Sequence, residues 1–215
     1  MKFQDLSLPK YFKEHYTKFP TLNPVQEKSI NAGLLDERSL LICAPTASGK
    51  TMVATMAIVN HLSKGKVIYL VPLRALANEK YKEYQELLKN TEFKVVQSTG
   101  EIDSDSPHLA NYDLLILTTE KLDSLIRHKV KWLSEIKLVV IDEVHLLNDP
   151  TRGPTLEIII TLLKRLISPQ IIALSATIGN PKALADWLNA ELVIDNWRPV
   201  ELKQGTFCEG KLEFY

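Results

Sequence analysis

Uninterrupted apolar runs alternating with helix-period segments predict an α/β domain built on a mainly parallel sheet of about seven strands, with helices on both faces. Three observations carry this expectation. Five short apolar runs recur: Leu40–Cys43, Val67–Val71, Leu114–Leu117, Leu138–Ile141 and Ile171–Leu174. Each ends in small, polar or turn-forming residues, in order APTASGKT, PLRA, TTE, DEVH and SAT. Amphipathic stretches lie between them, such as the one in which Leu76, Tyr84, Leu87 and Leu88 recur at helical spacing. A half-exposed antiparallel strand alternates apolar and polar residues, whereas a strand covered on both sides stays apolar throughout.

The elements follow in chain order. Residues 1–30 read as a lead-in segment containing Phe19-Pro-Thr-Leu-Asn-Pro-Val-Gln26, and residues 31–200 hold the alternating pattern of the domain itself. The first run leads through its polar loop into a helical stretch, Met52–Leu62. Weaker strands are expected at Phe93–Gln97 and Leu192–Ile194, which brings the total to about seven. After Trp197 the periodicity fades, and residues 201–215 read as the start of a connector. In open sheets of this kind, ligands bind beyond the carboxyl ends of the strands, which is where the polar clusters fall.

Composition narrows the classes. The 215 residues suit one α/β domain and are few for two. Lys and Arg number 26 against 26 Asp and Glu, so any nucleic-acid contact must rest on a local patch rather than a basic surface. Cys43 and Cys208 are far apart and suggest no disulfide framework, and Cys43 lies in an apolar run as a small core residue. Residues 1–12 lack the apolar centre of a signal peptide, and no run reaches transmembrane length, so a cytoplasmic protein is expected. Without long heptad repeats, a monomer is expected.

Two polar clusters carry the chemistry. Ala44-Pro-Thr-Ala-Ser-Gly-Lys-Thr51 fits the P-loop pattern with Ala at the first glycine position, between a strand and a helix. Backbone N–H groups from Ala47, Ser48, Gly49, Lys50 and Thr51 would wrap phosphates at the positive end of the following helix. Lys50 would reach the β- and γ-phosphates of ATP, and Thr51 would place its hydroxyl on Mg²⁺. Leu138-Val-Val-Ile-Asp-Glu-Val-His145 delivers a carboxylate pair to the same edge. Asp142 suits the second metal ligand, and Glu143 suits polarisation of the attacking water. A hydroxyl pair, Ser175 and Thr177, follows the last strong strand and suits coupling of phosphate state to neighbouring loops.

With these motifs in order, the sequence resembles superfamily 2 helicases, specifically their Ski-type DEVH branch, from about Leu6 to Gly205. APTASGKT is similar to motif I, PLRALANEK to motif Ia, Ser98-Thr-Gly100 and Thr118-Thr-Glu-Lys121 to the Ib region, DEVH to motif II and SAT to motif III. The resemblance implies a single RecA-like domain that binds ATP and Mg²⁺. It implies adenine recognition by Gln26, whose amide could bond N6 and N7 together, and a coupling role at the nucleotide for His145. Arg152-Gly-Pro-Thr-Leu-Glu157 and Asn196-Trp-Arg-Pro-Val200 are closer still to archaeal DNA-repair helicases of the Hel/Hjm type. Those relatives translocate 3′ to 5′ and carry a second RecA-like lobe with an arginine finger, a winged-helix domain and a ratchet domain. The chain stops soon after motif III, so alone it is expected to bind nucleotide and hydrolyse it very slowly.

The remaining polar loops would grip nucleic acid. Arg74 and Asn78 follow one strand end, and the resemblance adds Thr99, Gly100, Thr118 and Thr119. Such groups hold a phosphate backbone without reading sequence. Lys80 reads equally as a backbone contact or as part of a solvated lysine face. His145 lacks a His or Cys cluster that would make it a metal ligand. His15, His61, His108 and His128 read as surface or helix residues, and Trp132, Trp187 and Trp197 as packing residues. Single-stranded or branched DNA is the expected partner. RNA stays open, because phosphate contacts ignore the sugar. So does a P-loop protein of another class, a nucleotide-controlled binding switch.

Overall fold

In the computed structural model, which describes residues 1–100, 106–200, 203, 205–208 and 210–214, every strong apolar run forms a strand. The strands are β1 (Leu40–Cys43), β2 (Lys66–Val71), β3 (Val95–Ser98), β4 (Leu114–Thr118), β5 (Ile136–Ile141), β6 (Gln170–Ser175) and β7 (Glu191–Ile194). They form one seven-stranded sheet in the order β3-β4-β2-β5-β6-β1-β7, and each neighbouring pair is parallel. Successive side chains leave a strand on opposite faces. Leu40 and Ile42 therefore enter one core while Leu41 and Cys43 enter the other. Burial on both faces is why these strands show no alternation in sequence. β3 starts two residues after the expected Phe93, which packs against the core from just outside the sheet.

The helices are α1 (Lys10–His15), α2 (Pro24–Asn31), α3 (Lys50–His61), α4 (Arg74–Leu88), α5 (Thr119–Arg127), α6 (Gly153–Leu166) and α7 (Pro181–Leu188). Parallel crossovers keep a right hand. Crossovers running in opposite directions along the sheet must therefore place their helices on opposite faces. The steps through α3 and α4 run toward the β3 edge, and those helices share a core with α1 and α2. The steps through α5, α6 and α7 run back toward β7, and these helices share the other core with Trp132. β1 and β6 are neighbours whose following helices leave on opposite faces, and a crevice at the carboxyl end results.

The lead-in segment is no appendage. Phe3, Phe12, Leu22 and Val25 belong to the α3 and α4 core, with the Phe3 and Phe12 rings 5.3 Å apart. At the other end, where a connector is expected, β8 (Gly205–Cys208) and β9 (Lys211–Phe214) pair as an antiparallel hairpin. Cys43 is buried as expected, and Cys208 is exposed. His61 is a helix residue, the last of α3, and not a surface one. It faces the core at 1% exposure, and its Nδ1 lies 3.0 Å from the carbonyl of Ala57. Among the described residues, no helix is long and apolar enough to cross a membrane.

Candidate active site

The loop from β1 to α3 owes its shape to two left-handed residues, Ala47 at φ 64° and Gly49 at φ 90°. Such turns point successive backbone N–H groups into one concavity, which suits an anion. Ala47 adopts this conformation at a cost of about 1–2 kcal/mol, because its Cβ crowds the backbone. Gly49 has a second constraint: a side chain there would strike the amides of Asn23 and Gln26. Asn23 braces the loop from outside, its Nδ2 donating to the carbonyl of Ser48 at 2.8 Å. Lys50 is held at the loop's start, donating to the carbonyls of Ala44 at 2.5 Å and Pro45 at 2.9 Å. Burial lowers the Lys50 ammonium below its usual pKa range, opposed by the charges of Glu143 and Asp142.

Asp142 and Glu143 follow β5, one strand removed from β1 across β6. The Asp142 N–H continues the ladder to the carbonyl of Leu70 at 2.9 Å. Its carboxylate is held from both sides, with Oδ2 accepting from the Tyr69 hydroxyl at 3.0 Å and Oδ1 from the Glu143 N–H at 3.1 Å. Burial raises the Asp142 pKa, while the Tyr69 bond and the charges of Lys80 and Lys50 pull it down. Glu143 is left-handed at φ 52°, which turns the chain sharply after the strand. His145 Nδ1 stands 3.2 Å from Glu143 Oε2, an ion-pair distance without hydrogen-bond alignment. Ser175 ends β6 beside the loop, its carbonyl accepting from the Ala44 N–H at 3.2 Å. Thr177, expected to act with it, is exposed.

The residues fit phosphate and magnesium. Ser48 Oγ and Ser175 Oγ are buried without a hydrogen-bond partner, and buried hydroxyls seldom stay so. Ser48 lies in the loop itself and Ser175 ends the neighbouring strand β6, so phosphate oxygens held in the loop would satisfy them. Among the described residues, no cluster of three or more His, Cys, Asp or Glu could hold a metal. The Thr51 hydroxyl and Asp142 carboxylate are instead hard oxygen donors of the kind that take Mg²⁺ together with phosphates. A separate cleft of about 890 Å³, lined by Arg38, Lys164, Gln170 and Glu191, opens at the amino ends of the strands and holds none of these motifs.

Gln26 sits in a capping box: its N–H donates to Asn23 Oδ1 and its Oε1 accepts from the Asn23 N–H, both at 3.0 Å. One lone pair of the amide oxygen is thus already engaged. The strand-gripping candidates gather at the carboxyl ends of β2, β3 and β4, which are neighbours in the sheet. Arg74, Asn78 and Gly100 are exposed and Thr99 is half-buried. Thr118 and Thr119 are buried, so a strand would meet their backbone more than their hydroxyls. Lys80 is neither a solvated lysine nor a free contact, being buried and bound to Glu83 at 2.8 Å.

A comparison with protein families supplies the deciding observation: the model for DEAD/DEAH box helicase matches residues 23–184. The chain belongs to the DEAD/DEAH box helicase family. Its relatives include the ATP-dependent DNA helicase Hel308 of Methanocaldococcus jannaschii, 51% identical across 90% of this chain and 17% of that protein. Hel308 of Pyrococcus horikoshii is 47% identical across 98% of this chain and 30% of its own length. Among solved structures, the DUF1998 helicase MrfA bound to DNA superposes with a TM-score of 0.76 at 26% identity, over 88% of this chain and 30% of that one. The chain thus spans less than a third of the relatives it matches. These findings correct the narrower Ski-type DEVH assignment: the family model is DEAD/DEAH and the relatives are Hel308.

Within this DEAD/DEAH box domain, sequence reasoning missed Asn23, Tyr69 and the buried role of Lys80. Asn23-Pro-Val-Gln26 carries the signal of a capping box, an N-cap residue with Gln three positions on. Tyr69 stands alone as a hydroxyl in an aliphatic strand, and a buried tyrosine needs a partner. Lys80 carries no such signal, since its pairing depends on tertiary position.

Proposed function

We propose that this chain is the ATP-binding motor lobe of a cytoplasmic DNA helicase of repair or fork processing, moving 3′ to 5′ together with a second RecA-like lobe and further domains of one polypeptide. The observation that carries the reading is the buried, unpartnered pair of Ser48 and Ser175 hydroxyls beside Lys50, one strand from Asp142. In this reading the amides of residues 47–51 and the Lys50 ammonium bind the phosphates. Thr51 and Asp142 hold Mg²⁺, which neutralises charge on the phosphate oxygens when bound. Glu143 orients the attacking water and accepts its proton. Gln26 meets adenine through Nε2 and the remaining lone pair of Oε1. Ser175, Thr177 and His145 sense the phosphate state. Arg74, Asn78, Thr99, Gly100, Thr118 and Thr119 hold the sugar-phosphate backbone.

ATP turnover tests the reading, measured on a polypeptide joining this chain to a second lobe with no nucleic acid, single-stranded DNA or single-stranded RNA. Stimulation by DNA well above RNA is expected. A preference for RNA would move the protein to RNA remodelling, and no stimulation by either would leave a nucleotide-controlled switch.

A further inference from the structure

The two protein donors read as magnesium ligands come from separate elements, Asp142 after β5 and Thr51 in the first turn of α3. Two buried tyrosines lie between them. Tyr69, in β2, is fully buried and donates its hydroxyl to Asp142 Oδ2 at 3.0 Å. Tyr84, in α4, is fully buried, and its hydroxyl lies 3.1 Å from Thr55 Oγ1. Thr55 in turn donates to the carbonyl of Thr51 at 2.9 Å, so this contact ends on the turn that carries the metal hydroxyl. The tyrosine rings pack together with centroids 5.8 Å apart and planes tilted 52°. Core packing alone would be served as well by two phenylalanines. A hydroxyl carried into the centre of a sheet costs free energy unless it is bonded, and both of these are bonded toward the same site.

The element that supplies Tyr84 also matters. α4 begins at Arg74, and its first turns present Arg74 and Asn78 outward at the edge read as the strand grip. The same helix turns Lys80 and Tyr84 inward, four residues apart on one face. One rigid helix thus touches the strand-gripping edge at its start and the support of the metal donors two to three turns later.

We propose that Tyr69 and Tyr84 are positioning residues: the pair fixes the Asp142 carboxylate and the Thr51 turn relative to each other and fastens both to α4. This rests on the reading of Asp142 and Thr51 as metal donors. The groups behind a metal ligand set its orientation, and losing one typically costs 10–100-fold in metal affinity. A strand bound at Arg74 and Asn78 would act on the metal site through this contact.

The experiment uses the 215-residue chain and its variants Tyr69→Phe, Tyr84→Phe and Thr55→Val. Mn²⁺ affinity of the ADP complex is read by electron paramagnetic resonance, ADP affinity in metal-free buffer by calorimetry, and folding by thermal melting. Tyr69→Phe should weaken Mn²⁺ about tenfold while metal-free ADP affinity stays within about twofold. Tyr84→Phe and Thr55→Val should each weaken Mn²⁺ and reduce the shift in Mn²⁺ affinity caused by a single-stranded oligodeoxynucleotide. A lower melting temperature with unchanged Mn²⁺ affinity in all three would reduce the pair to packing and overturn the proposal. A wild-type Mn²⁺ affinity indifferent to the oligonucleotide would overturn the link through α4. Asp142→Asn is the control on the underlying reading. If that variant keeps full Mn²⁺ affinity, the metal-site assignment itself fails, whatever the tyrosines do.

Discussion

Ala47 sets the terms at the residue scale. Its left-handed backbone shapes the phosphate loop, yet an alanine adopts it against a steric penalty of about 1–2 kcal/mol. Glycine would remove that penalty while adding back about 0.4–1 kcal/mol of unfolded-chain entropy. Ala47→Gly should therefore leave stability unchanged or raise it by up to about 1.6 kcal/mol. Urea unfolding measures this, and a clear loss would mean that the Ala47 methyl packs against something essential. His61 offers a second residue-scale prediction. Burial holds its pKa below the usual histidine value, so below pH ~6.5 the unfolded chain binds a proton that the folded chain refuses. Its contribution is present above that pH and lost as pH falls through the folded pKa. His61→Gln should flatten the stability profile on the acid side of pH ~6.5, and an unchanged slope would assign the pH dependence to other groups. Lys50, Asp142 and Glu143 were legible because their chemistry is written in adjacent letters. The partnerless hydroxyls of Ser48 and Ser175 and the Tyr69 bond were not, since each is decided by residues far off in the chain.

At the scale of elements, α2 does two jobs from one residue. Asn23 caps the helix through its side-chain oxygen and holds the phosphate loop through its nitrogen. Asn23→Ala should cost about 1–2 kcal/mol in folding free energy from the lost cap. It should also weaken nucleotide binding, because the Ser48 carbonyl loses its tether. Denaturation and nucleotide titration of the variant check the two effects separately, and full nucleotide affinity would show the brace to be idle. Strands were legible where they are covered on both faces, since burial writes a continuous apolar run. β3 is the sheet's edge and only half-buried, so its signal was weak and its start displaced. The β8–β9 hairpin left no periodic trace because the strands are too short, and the described side chains of β8 are exposed.

For the whole molecule, the sheet divides its carboxyl edge between two tasks. On the proposed reading, β5, β6 and β1 carry the phosphate and metal motifs, while β3, β4 and β2 carry the strand-grip candidates, and the two sets meet where β2 pairs with β5. Formal charge balances to zero, so affinity for a polyanion must come from a few local cations. Arg74→Ala should then lower the slope of log affinity against log salt by about 0.7 on single-stranded DNA. Fluorescence anisotropy across a salt series reads it, and an unaltered slope would make Arg74 an ordinary surface charge. The fold class and the sheet's parallel sense followed from sequence. The order of strands did not, because no local pattern says which strand lies beside which.

That order governs how the molecule comes into being. β1, which launches the phosphate loop, pairs only with β6 and β7: Leu40 lies opposite Ile172 on one side and Glu191 on the other. On a ribosome adding ~5–20 residues per second, the first strand of the sheet waits roughly seven to thirty seconds for its neighbours to be made. Until then both of its hydrogen-bonding edges lack their native partners. On the proposed reading, nucleotide binding therefore waits for β6 and β7, although the loop motif beside β1 is made well before them.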